Sequence, residues 1–128
     1  MPLTAICLPG FADIRLADLE GLADQELDAL PFGVIGLSAD CLVEIYNQTE
    51  SKLAGLSRDT VIGSHFFLTT AQCMNNFMVA QRFEDEAELD AIIDFVLTLR
   101  MRPTPVRLRL LQCRAVRRRY ILLERTGT

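Results

Sequence analysis

Three side chains in this sequence have types and spacings that allow chemistry. Tyr46 and Glu50 stand four residues apart in Tyr46-Asn-Gln-Thr-Glu50. If a helix begins at Asn47, the phenol and the carboxyl lie on nearby sides of its first turn, where both can hydrogen-bond and exchange protons. The same residues also read as a local device: Asn47 caps the helix and Glu50, at the N3 position, completes a variant of the capping box. Cys73 lies in the polar loop Thr69-Thr-Ala-Gln-Cys73, between an apolar knot and an apolar stretch. A helix starting near Met74 would set its positive end beside the sulfur, favouring a thiolate or a covalent attachment; an ordinary small, buried thiol is the other reading.

Much other chemistry is excluded. His65 is the single histidine, so relays between histidines and multi-histidine metal sites are out; it reads as a hydrogen-bonded residue, with pH switch and haem ligand as alternatives. There is no phosphate-cradling glycine loop, no G-x-S-x-G and no H-E-x-x-H. The cysteines, Cys7, Cys41, Cys73 and Cys113, form no C-x-x-C pair, which argues against zinc and thioredoxin-like motifs. No constellation supports an enzyme.

The elements that must position these residues follow from periodicity. Residues 11 to 30 place Ile14, Leu16, Leu19 and Leu22 near helical spacing, and Gly21 divides the run into two short helices. Phe32 to Ser38 and Cys41 to Asn47, joined at Ala39-Asp40, read as a β-hairpin. Residues 48 to 63 suit short helical turns broken at Gly55 and Gly63, with Ser57 as an N-cap. Met74, Phe77, Met78, Val79 and Phe83 recur at helical spacing, and Glu84 to Asp90 reads as a solvated connector or helix end. Three strands close the chain: Ile92 to Met101, Thr104 to Cys113 and Arg118 to Arg125. In the second, Val106, Leu108 and Leu110 alternate with Arg107 and Arg109, which predicts a sheet with one wet face. Two strands, several helices and three strands make an α+β domain with a five-stranded antiparallel sheet flanked by short helices. Residues 11 to 30 read as an N-terminal helical cap with one apolar face.

The chain has 128 residues, half of them apolar, and a net charge of −4. That suits one domain with one real core. Sixteen of the seventeen acids precede Arg100, and nine of the twelve arginines lie at Arg100 or beyond. The overall acidity argues against non-specific nucleic-acid binding, and the simplest reading of the segregation sets basic strands facing water beside acidic helices. No stretch reaches the roughly 20 apolar residues that span a bilayer, and the N-terminus lacks the basic start of a secretory signal, so a soluble, cytoplasmic protein without membrane contact is expected.

The residues together resemble the photoactive yellow proteins. Phe32-Gly-Val-Ile35, Tyr46-Asn47 with Glu50, Val61-Ile-Gly-Ser-His-Phe-Phe67, Ala71-Gln-Cys73 and Met101-Arg-Pro-Thr104 occur in that family's order and near its spacing, from about residue 11 to residue 125. The resemblance implies a PAS fold, with residues 1–28 as an N-terminal cap and residues 29–128 as a PAS chromophore-binding domain, and a blue-light receptor. It implies trans-4-hydroxycinnamic acid (p-coumaric acid) as a thioester on Cys73, with its phenolate held by Tyr46 and a protonated Glu50. Trans–cis isomerisation, proton transfer from Glu50 and loosening of the cap would then carry the signal to a downstream protein. Phe66 and Phe67 would line the pocket, and Met101 would assist thermal return. Homodimerisation stays open.

The sequence departs from the family pattern at five positions. Ala54 replaces a threonine that supports the tyrosine, Leu56 replaces an arginine lid, Gln72 replaces a proline, and Leu97 and Leu99 replace aromatics. These changes bear on colour and photocycle rate. The alternative is a chromophore-free PAS module for protein interaction or dimerisation. A haem-binding PAS sensor would have His65 as its one histidine ligand, and the loop of flavin-binding light sensors is missing.

Overall fold

A computed structural model of the chain describes residues 9–98 and 102–126. Its strands are β1 Gly33–Leu37, β2 Val43–Tyr46, β3 Leu89–Leu97, β4 Thr104–Cys113 and β5 Val116–Arg125. They form one antiparallel sheet in the order β2-β1-β5-β4-β3. Helices α1 Leu16–Gly21 and α2 Asp24–Ala29 precede the sheet. Between β2 and β3 come α3 Gln48–Ala54, α4 Arg58–Val61, a π-helical turn Phe66–Thr70, a 3-10 turn Gln72–Met74 and α5 Ala80–Asp85. This is the predicted α+β order, and β4 has its predicted bounds.

Both faces of the central strands are covered, which corrects the expectation of a wet face there; the edge strand β3 keeps one, with Asp90, Ile92, Asp94 and Val96 exposed. Side chains alternate across a strand, so each central strand feeds two cores. Ile35, Val106, Leu108, Leu110, Ile121 and Leu123 pack with Tyr46, Phe66, Phe67 and Met74 on the side of α3 and the turns. Val34, Leu111, Tyr120 and Leu122 pack on the opposite side against Phe11, Ile14, Leu19, Leu27 and Leu30 of the N-terminal segment. The arginines of β4 are accordingly not a solvated row. Arg109 is 4% exposed and donates to the carbonyls of Phe11 and Ile14, while Arg107 lies over the Phe11 ring at 5.4 Å.

A second expectation also fails: no helix begins at Met74. The Asn76 amide intervenes. Its Oδ1 accepts from the backbone N–H groups of Met78 and Val79, and its Nδ2 donates to the Cys73 carbonyl. A short polar side chain that captures backbone groups in this way competes with the helix ladder, so α5 starts only at Ala80 and Phe77 is left 79% exposed. The third strand begins three residues earlier than predicted, at Leu89, so the acidic run ends inside it at Asp90.

Candidate functional site

The Tyr46–Glu50 spacing works through Asn47. Asn47 is buried; its Oδ1 accepts from Val34 N at 2.9 Å and from Glu50 N at 3.1 Å. Its Nδ2 donates to the carbonyls of Leu27 at 2.8 Å and Phe32 at 3.1 Å. Asn47 is therefore the N-cap of α3, as one reading of the sequence had it, and it also ties α3 to β1 and to α2. Gly55 ends the helix in the left-handed region at φ 71°, where glycine has no Cβ penalty.

The carboxyl of Glu50 does not return to the cap. It is 1% exposed and meets Arg125, the last residue of β5. Arg125 Nη1 donates to Glu50 Oε1, and Nη2 donates to Oε2 at 3.1 Å. Two parallel N–H donors matched to two oxygens are the strong geometry of a guanidinium–carboxylate pair. Gly33 of β1 makes room, because a Cβ there would overlap Glu50 Oε1. Burial pushes the Glu50 carboxyl above its ordinary range, and the Arg125 guanidinium pulls against that rise. Tyr46 is 3% exposed. Burial first, and the nearby Glu50 carboxyl second, hold its phenol well above the ordinary value, with Arg125 opposing. Tyr46, Glu50 and Arg125 thus form one electrostatic unit.

Phe66 and Phe67 meet edge-to-face at 5.2 Å between ring centroids. They share the core that contains Tyr46, and half-buried Cys73 packs against that core from the 3-10 turn. His65 caps the π-helical turn, its Nδ1 accepting from Leu68 N at 3.2 Å. Met101 lies outside the described residues. A cavity of about 380 Å³ opens beside Arg125, lined by Lys52, Ala54, Leu97, Arg102 and Thr104 among others. Among the described residues no group of three or more His, Cys, Asp or Glu side chains is placed to hold a metal ion, and no helix is long and apolar enough to cross a membrane.

The resemblance groups Tyr46, Glu50, Phe66, Phe67 and Cys73 about one ligand; the structure sets Tyr46, Phe66, Phe67 and Cys73 in or against one core and adds Arg125, which sequence reasoning missed. A signal existed. Ile121, Leu123 and Arg125 alternate on β5, so Arg125 shares the inward face of the two leucine-type neighbours.

No protein-family model matches the chain. A curated relative does: the photoactive yellow protein of Halochromatium salexigens is 33% identical over 92 residues, which span 70% of this chain and 74% of that protein. The chain belongs to the photoactive yellow protein family. Among solved structures, the photoactive yellow protein domain of the sensor histidine kinase Ppr from Rhodospirillum centenum is similar, with a TM-score of 0.78 and 34% identity over 85% of this chain and 98% of that domain. The PAS domain of an HTR-like protein from Haloarcula marismortui matches 87% of this chain and all of its own length at a TM-score of 0.62 and 16% identity, a likeness of fold alone. The fold is PAS, and this member of the photoactive yellow protein family presents its buried Tyr46–Glu50 pair with an arginine attached.

Proposed function

We propose that this chain is a blue-light receptor that carries trans-4-hydroxycinnamic acid as a thioester on Cys73 and turns over no substrate. The observation that carries this reading is the joint burial of Tyr46 and Glu50 beside the core on which Cys73 packs. An unmatched buried polar group costs about 1–3 kcal/mol; Arg125 matches the Glu50 carboxyl in the chromophore-free site, and a phenolate would accept from the Tyr46 hydroxyl. The residues suit the group: a buried phenol and a buried carboxyl for an anionic end, an aromatic wall, and a half-buried thiol for attachment.

When bound, the chromophore supplies absorption of light, trans–cis isomerisation and a phenolate. The chain supplies the rest. Tyr46, held above the ordinary phenol value, keeps its proton and donates it in a hydrogen bond. Glu50, whose carboxyl is raised by burial, would take a proton beside the phenolate and could then give it up. Phe66 and Phe67 exclude water, and the Met101 side chain assists thermal return. Loss of the Glu50 proton places a carboxylate in the interior, and a buried charge change is a local cause for rearrangement. A route to the N-terminal cap is at hand. Asn47 holds Leu27 O, Thr49 Oγ1 donates to Leu30 O at 2.6 Å, and Gln48 N donates to an Asp28 carboxyl oxygen at 2.8 Å. Loosening of the cap would then be read in the cytoplasm by a partner protein or by a second copy of the chain.

One observation favours a second reading. Glu50 already has a complete partner in Arg125, so the site is self-sufficient, as in a PAS module that serves protein interaction without pigment. Incubating the chromophore-free protein with activated 4-hydroxycinnamic acid separates the two. A visible band that bleaches in blue light, recovers in darkness and is lost in Cys73→Ala is expected. A folded protein that takes up no chromophore would leave the interaction module.

A further inference from the structure

The family resemblance assigns Tyr46 and Glu50, and it expects an arginine where this chain has Leu56. The structure brings a guanidinium to the same acid from another direction. Arg125 closes β5, on the face that carries Ile121 and Leu123 inward. Its side chain is 16% exposed, that of Glu50 1%. Both Nη groups engage both carboxyl oxygens.

We propose that Arg125 is a positioning residue of this site, which fixes Glu50 as a paired carboxylate in the chromophore-free protein and sets how readily that acid takes a proton. The geometry carries this. A guanidinium has donors and no acceptor, so two N–H groups aimed at two oxygens suit an ionised carboxyl, whereas a protonated one would turn an O–H toward a donor. The surroundings leave Arg125 in charge. On β2, Tyr46 is neutral. On β1, Gly33 brings no charge and its bare Cα admits the carboxyl. On α3, Lys52 lines the cavity beside Arg125, as does Arg102 ahead of β4. Of the described cations, Arg125 is the one bonded to Glu50.

The consequence rests on the reading above. The chromophore-free site holds one anion and one cation. A phenolate ligand would add a second anion to the same guanidinium, and two buried anions that share one cation raise the proton affinity of one of them. Glu50 would then acquire its proton as the site is filled. It would find a counter-ion waiting in Arg125 when it later loses that proton.

The test uses the chromophore-free full chain, so it stands whether or not the protein takes up a chromophore. Infrared spectroscopy follows the carbonyl stretch of the protonated Glu50 carboxyl through a pH titration, assigned by its loss in Glu50→Gln. The native protein is expected to show no such band at neutral pH. Arg125→Gln is expected to shift the protonation midpoint upward by about tenfold or more in proton affinity, and Arg125→Lys to fall between the two. If Arg125→Gln does not fold, the comparison of native with Arg125→Lys carries the test. A band already present at neutral pH in the native protein, or midpoints that coincide in the native and substituted proteins, would overturn the proposal.

Discussion

Glu50 and Arg125 show how a single buried pair can both support and strain a fold. Removing one partner from a buried pair leaves an uncompensated charge, which costs about 3–5 kcal/mol. Arg125→Gln should therefore lower the stability of the chromophore-free protein at neutral pH by about 3 kcal/mol, the low end of that range because Glu50 escapes part of the cost by taking a proton. Urea unfolding at constant slope measures it. The pH dependence has a defined sign. Burial holds the Glu50 carboxyl above its ordinary value, so between the unfolded and folded values the folded chain binds more protons. Stability from this group is fully present below the unfolded value and is lost as pH rises through the folded one. Glu50→Gln should flatten that stretch of the stability profile, from the ordinary carboxyl value upward. An unchanged profile would show that Glu50 titrates alike in both states. Tyr46 follows the same logic at alkaline pH: its raised value delays phenolate formation in the folded chain.

At the scale of elements, the site depends on how closely β1 and α3 approach each other. The first residue of β1, Gly33, pairs with Leu123 of β5, which places it two residues from the strand end that carries Arg125. A methyl group at Gly33 would occupy the space of Glu50 Oε1, and backbone on a central strand yields little. Gly33→Ala is expected to expel the Glu50 side chain, separate it from Arg125 and cost about 1–3 kcal/mol by overpacking. A crystal structure of the variant, or a Glu50 infrared titration whose midpoint has fallen to the ordinary carboxyl value, would report it. Asn47 is the joint between elements: one amide side chain serves four backbone groups on α3, β1, α2 and the turn before β1. The local pattern Asn-x-x-Glu announced a cap, yet a cap alone would bind only Glu50 N. The other three bonds come from segments 13 to 20 residues away in sequence, and no local signal reports them.

At the scale of the whole molecule, the N-terminal segment is a second layer clasped to the sheet. Arg109 reaches across 95 and 98 residues of sequence to the carbonyls of Ile14 and Phe11, and an Asp90 carboxylate grips its outer edge at 3.0 and 3.1 Å. Tyr120 donates to Glu20 of α1, and Arg118 bridges Glu20 and Glu44. The acidic beginning and the basic end of the chain thus meet inside one fold, where the segregation of charge is put to structural use. Hydrogen bonds to a charged group contribute about 1.5–3 kcal/mol each, and Asp90 is too exposed to add much. Arg109→Met should detach the segment locally: amides of residues 11–29 would exchange faster by hydrogen-exchange mass spectrometry, while those of Ile121, Leu122 and Leu123 keep their protection. Equal acceleration of both sets would mean that cap and sheet unfold as one unit.

What the sequence determined by itself was local. Strand alternation gave the bounds of β4, glycines ended α3 and divided α1 from α2, and Asn47 announced its helix. Each of these rests on backbone sterics, capping or the period-2 pleat, which act within a few residues. The family, too, was legible from short motifs in order. Tertiary structure decided what covers each face. Alternation tells which side of β4 carries Arg107 and Arg109, but not whether water or Phe11 lies there. It puts Arg125 on the inner face of β5, but not opposite Glu50. The helix expected from Met74 to Phe83 gave way because Asn76 bonds the backbone on both sides of it, a competition that apolar periodicity cannot register. Charge pairing follows the packing of layers, and the packing of layers follows from contacts made across nearly the full length of the chain.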